Sequence, residues 1–150
     1  MRWFIHTLAL IGIALLTLSI LPIVFGQLAV PNFLYSIPIV LAIRHQLVMA
    51  LFWSITGGFI LDLVTPHVSW YTVLFFFTAL FTYLMVTEFL PNPTLPITLS
   101  LIIFTSFLLP ISELLTVGAG WDWQLVESGL MQGIAFALTF VGTQRFMKRT

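Results

Sequence analysis

Long apolar runs, broken only by proline, glycine and short polar clusters, leave this chain few ways to fold. They cover roughly residues 3–25, 28–43, 47–64, 70–90, 95–117 and 125–142. An α-helix needs about 20 residues to cross a hydrocarbon core, and most of the runs are of that order. Lipid offers no water to satisfy backbone N–H and C=O groups, so a spanning segment is either a helix or part of a closed barrel. Barrel strands alternate polar and apolar residues, and these runs do not. The expectation is an all-α, polytopic membrane protein with about six transmembrane helices, in a single integral membrane domain over 1–150. The loops are too short to hold a soluble domain.

Composition agrees. Hydrophobic residues make up 60% of the chain and charged residues 7%, against about 25% charged in a soluble domain. The formal net charge is zero, so there is no basic field to hold nucleic acid. Cysteine is absent, which excludes disulfides, thiolate metal sites and a thiol nucleophile. The first apolar run, Trp3 to Phe25, exceeds the roughly 7–15 residues of a signal-peptide core. It reads as a retained first helix.

Orientation follows from the cations. With six spans, Arg2, Arg44, Arg145, Lys148 and Arg149 fall on one face, which the positive-inside tendency makes cytoplasmic. Both termini are then cytoplasmic, and the outer loops hold His67 and Asp122. A five-span alternative, with the short second segment re-entrant, puts Arg2 opposite the basic tail. Trp3, Trp70, Tyr71, Trp121 and Trp123 lie near the expected span ends, where amphipathic rings favour the interface.

Asp62 is the first functional candidate. A carboxylate at helix centre costs about 2.5–3.5 kcal/mol on insertion scales, and such residues usually face protein or a water-filled cavity. Stepping back by fours gives Gly58, Ser54 and Ala50, which share a helix face with it. Small residues let a second backbone approach closely. This stripe reads either as a partner seam with a polar anchor or as packing within the protein itself. Gly129, Gly133 and Ala137 form a second such stripe. Glu113 follows Pro110 by three residues. A proline frees a carbonyl and bends its helix, and Gln132 is one candidate to pair with that carboxyl; a partly hydrated helix-end carboxylate is the other reading. Glu88 and Glu127 lie at span ends.

Enzyme chemistry is the least supported class. His6, His45 and His67 are scattered over both faces, with no H-E-x-x-H pattern for zinc. There is no G-x-S-x-G, P-loop or glycine-rich phosphate cradle. No catalytic, cofactor-binding or metal-ligating residue is expected.

The segment from Val30 to Pro66 carries more information than composition. Pro31-Asn32-Phe33 opens the second helix, Arg44-His45 makes a basic turn, and the third helix ends Gly57-Gly58-Phe59-Ile60-Leu61-Asp62-Leu63. This resembles the rod-shape-determining MreD family of bacterial inner-membrane proteins, whose pattern there is a small residue or glycine, several apolar residues and an outer-end aspartate. Length, span number, short loops and a basic tail fit the same family; the fourth to sixth helices carry no matching motif. The resemblance implies a non-catalytic adaptor in the machinery that elongates the peptidoglycan wall. Its implied partner is MreC and, through it, RodA, RodA's transpeptidase partner and MreB. It also implies the six-helix architecture of the substrate-binding subunits of energy-coupling-factor transporters, which supplies the rival class, a small-molecule-binding transporter subunit. That class is expected to carry Ala-x-x-x-Ala in the first helix. Here Ala9 is followed four residues on by Ile13, and Ala14 by Leu18.

Overall fold

The computed structural model describes residues 2–25, 31–65, 70–90, 95–117 and 123–147. They form six helices, with no strand among them. Helix α1 runs through Arg2–Leu15, a π-helical turn over Leu16–Ile20, and Leu21–Phe25. Helices α2 and α3 cover Phe33–Ile43 and Leu47–Val64. Helix α4 covers Tyr71–Leu84 and continues as a π-helical turn over Met85–Phe89. Helices α5 and α6 are Leu95–Val117 and Trp123–Met147. Three stretches are long and apolar enough to cross a membrane: Phe4–Val24, Leu47–Val64 and Tyr71–Phe89. Shorter apolar helices cover Phe33–Ile43, Ile97–Ser112 and Val126–Gly142 among the described residues.

Each irregular turn has a local cause. In α1 the widened turn comes just before Pro22, which lacks the N–H a regular helix would use and crowds the carbonyl four residues back. The second precedes Pro91. Leu90, restricted by the proline after it, leaves helical geometry at φ −135°, ψ 58°.

The second helix departs from expectation. Instead of running from about residue 28 it starts at Phe33, because Asn32 turns its side chain to accept the Tyr35 N–H as an N-cap. Asparagine is among the residues best suited to that position. Residues 28–30 of the expected helix lie outside the described residues. With 11 residues, α2 is about 16 Å long at 1.5 Å per residue, roughly half the ~30 Å of a hydrocarbon core. It is also the most enclosed element. Leu34, Tyr35, Ile39, Val40 and Ala42 are fully buried, and α1, α3, α4 and α6 all pack against it.

Pro38 stands inside α2 and deprives the Leu34 carbonyl of its helical donor. That carbonyl faces Gly57 on α3, where an added β-carbon would sit 3.4 Å from it. The helix stops in a Schellman motif. His45 N–H donates to Ala42 O and Gln46 N–H to Leu41 O, with His45 at φ 60°, a position usually given to glycine.

The outer surface is apolar. Phe4, Ile23, Leu63, Phe77, Phe89 and Leu115 are all largely exposed, and α1 buries only Leu10, Ala14 and Thr17 of its described side chains. A water-soluble monomer does not expose apolar area on this scale. Hydroxyls on the helices return to their own backbones: Ser54, Thr78, Thr82, Thr105 and Thr139 each donate to the carbonyl four residues back. That is how such groups are satisfied where water is absent.

Candidate functional site

Of the polar residues singled out in the sequence, Asp62 and Gln132 each sit at a junction between helices. At the first, the end of α3 turns back onto the start of α4. A helix begins with N–H groups that have no internal acceptor, and Trp70, at the N-cap of α4, has no side-chain oxygen to offer. Asp62 fills that role from the preceding helix. One carboxylate oxygen accepts Tyr71 N–H at 2.7 Å, and the other accepts Thr72 N–H at 3.1 Å and the Thr72 hydroxyl at 2.6 Å. Negative charge is favoured at a helix N-terminus, so the bonds and the charge act together.

One turn earlier, Gly58 touches the same backbone. A β-carbon there would fall 2.5 Å from Thr72 Cα, 2.7 Å from its nitrogen and 2.9 Å from the Tyr71 carbonyl carbon. Backbone cannot swing away as a flexible side chain can, so only glycine fits. Ser54 and Ala50 complete the stripe, both fully buried, and Ser54 Oγ donates to Ala50 O at 2.8 Å. Ala50 belongs to a cluster with Leu10, Leu41, Trp53 and Ala79. The stripe is thus a seam inside the molecule, with the aspartate as its clamp.

At the second place, α2 is tied to α6. Gln132 Oε1 accepts Asn32 N–H at 3.1 Å, while its Nε2 donates to Asn32 O at 2.9 Å and to Ser36 Oγ at 3.1 Å. Ser36 Oγ donates in turn to Asn32 O. Just inside, Tyr35 donates its hydroxyl to Thr105 O on α5 at 3.0 Å, and its ring lies 4.9 Å from that of Phe75 and 5.9 Å from that of Phe136. The centre of the bundle is filled by these three rings, all fully buried.

Gln132 was expected as a partner for Glu113. Its amide binds Asn32 and Ser36, and the Glu113 side chain lies outside the described residues, as do His67 and Asp122. The second stripe is divided. Gly129 is covered by the Phe107 ring, whose Cε1 would be 2.4 Å from an added β-carbon, whereas one at Gly133 would meet only Ser106 Oγ at 3.8 Å. Ala137 is exposed. Glu88 is exposed as well, in keeping with its place at a helix end.

Two contacts were not foreseen. His6 on α1 faces Trp53 on α3 edge-to-face, with Trp53 Nε1 donating to His6 Nδ1 at 3.5 Å. Arg44, in the turn after α2, lies 5.0 Å over the Phe140 ring and donates from Nη2 to Phe140 O at 3.1 Å. Partial burial of this guanidinium lowers its pKa from the ordinary arginine value. No group of three or more His, Cys, Asp or Glu able to hold a metal occurs among the described residues.

No family model, curated protein or solved structure matches the chain. The functional reading therefore rests on the geometry above and on the sequence resemblance.

Proposed function

We propose that this protein is a six-span, non-catalytic adaptor of the bacterial cell-elongation machinery in the cytoplasmic membrane. It acts with MreC and, through it, with RodA, RodA's transpeptidase partner and MreB. Both termini and the Arg44 turn lie on the cytoplasmic side. The observation that carries the reading is the use made of the residues behind the MreD resemblance. Asn32 caps α2 and binds Gln132, while Gly58 and Asp62 clamp α3 to α4. Polar groups engaged in holding helices together suit a scaffold that presents a fixed surface.

The test is co-purification. Asp62→Ala is expected to insert into the membrane at wild-type levels but to recover less MreC, because α4 loses the cap that fixes its angle. Recovery of MreC at wild-type yield from this variant would refute the role given to Asp62. A tightly bound small molecule, released on denaturing the purified protein and seen by mass spectrometry, would favour the transporter-subunit class.

A further inference from the structure

A groove opens between α5 and α6 on the outside of the bundle, about 800 Å³ in volume. Thr98, Ile102 and Phe107 line it from α5, and Gly133, Ala137 and Val141 from α6. It is bounded on α6 by Gly129 and Val141 and on α5 by Thr98 and Phe107, so it is about 14–18 Å long at 1.5 Å per residue. That is close to one leaflet's half of a ~30 Å hydrocarbon core. One end is closed by Phe107 lying over Gly129. The other lies toward the beginning of α5 and the end of α6, and there Phe140 also lines it.

The Phe140 ring is the one Arg44 covers. Among the described residues the Arg44 guanidinium donates from Nη2 to Phe140 O, and its Nε is buried with no acceptor. No carboxylate pairs with it among the described residues. Arg145 occupies the position one turn beyond Val141 on α6. An acyl-chain-sized groove therefore ends beside a cation with hydrogen-bonding capacity to spare. Guanidinium groups match phosphate through paired N–H donors, and basic pockets beside transmembrane helices on the cytoplasmic side are a recurrent setting for anionic headgroups.

We propose that this groove is a binding site for an anionic phospholipid of the inner leaflet. One acyl chain lies along Gly133 and Ala137, and the phosphate sits at the Phe140 end within reach of Arg44. Gly133 and Ala137 stay small because the chain occupies the space their side chains would fill. The inference rests on the membrane topology proposed above and not on the elongation role.

Lipid retention by the purified protein tests it. The protein is exchanged in detergent with an equal mixture of phosphatidylglycerol and phosphatidylethanolamine, and bound lipid is read by native mass spectrometry. Phosphatidylglycerol is expected to be retained about tenfold over phosphatidylethanolamine, equivalent to about 1.4 kcal/mol. Arg44→Gln should abolish that preference and Arg44→Lys should keep part of it. Gly133→Phe, which leaves Arg44 untouched, should reduce retention of both lipids. An unchanged preference in a folded Arg44→Gln protein overturns the proposal. So does undiminished retention in Gly133→Phe, or displacement by inorganic phosphate alone, which would mark an anion site without a chain. Masses of a lipid-free dimer would assign the groove to a second copy. Because the measurement is made in detergent, without sidedness, its failure leaves the proposed topology standing.

Discussion

Gly58 on α3 and Gly133 on α6 both stand in stripes of small residues spaced by four, yet their surroundings differ. A β-carbon at Gly58 would meet Thr72 Cα at 2.5 Å, and one at Gly133 nothing nearer than Ser106 Oγ at 3.8 Å. The first stripe ends in Asp62, whose carboxylate takes up the opening N–H groups of α4. The second has no such anchor and lies along an open groove. In lipid the tails are as apolar as the side chains, so apolar faces alone give helices little reason to associate. A polar bond at the end of a seam supplies that reason. The α2–α4 region is accordingly built around internal bonds, and the α5–α6 pair keeps a face for something else.

The sharpest way to break this comparison is to make the same substitution in both stripes. Gly58→Leu should cost about 3 kcal/mol or more, since overpacking at a site walled by backbone exceeds the usual 1–3 kcal/mol range only when nothing can shift. Gly133→Leu should stay within about 1 kcal/mol. Unfolding in mixed micelles gives both values, and similar losses at the two sites would erase the distinction. Next in size is Asp62→Ala, expected to cost about 2 kcal/mol, the upper end for losing an N-cap; Asp62→Asn, which keeps an oxygen acceptor but loses the charge, should cost less. A loss no larger than that of a surface substitution would remove the clamp from the account. Gln132→Leu should cost about 1–2 kcal/mol, because Asn32 and Ser36 lose partners away from water. Its signature in hydrogen exchange is faster opening at the start of α2, with α4 unchanged. His45→Gly is the smallest effect, neutral or stabilising by up to about 1 kcal/mol, because glycine enters the left-handed region at no steric cost. A measurable loss there would assign the imidazole a contact of its own.

How far these features could be read from the sequence depends on how local they are. Helices over 47–64 and 95–117 fall where expected, because apolar runs and the punctuation around them are short-range signals. The start of α2 at Phe33 is later than the apolar run from residue 28 implies. Leu28, Ala29 and Val30 are apolar enough to continue a helix, and composition does not show that the Asn32 side chain turns in to cap it. The spacing of Ala50, Ser54, Gly58 and Asp62 was visible, but the acceptor role of Asp62 depends on how α4 is brought back. Gln132 drew notice only as a match for Glu113. Asn32, which it binds, lies 100 positions away, and an apolar sequence carries little to connect the two. The pairing of Arg44 with Phe140 had no sequence signal, since aromatic residues are common throughout.

The account depends most on the topology, and the lack of cysteine makes that directly measurable. Single cysteines replacing His45, His67 and Thr150 are treated with a membrane-impermeant maleimide, in intact spheroplasts and again after permeabilisation. Labelling at His67→Cys from outside, with His45→Cys and Thr150→Cys reached only after permeabilisation, is the predicted pattern. External labelling of Thr150→Cys with His45→Cys protected would mean that an odd number of segments cross after the Arg44 turn, and the six-span arrangement would be wrong.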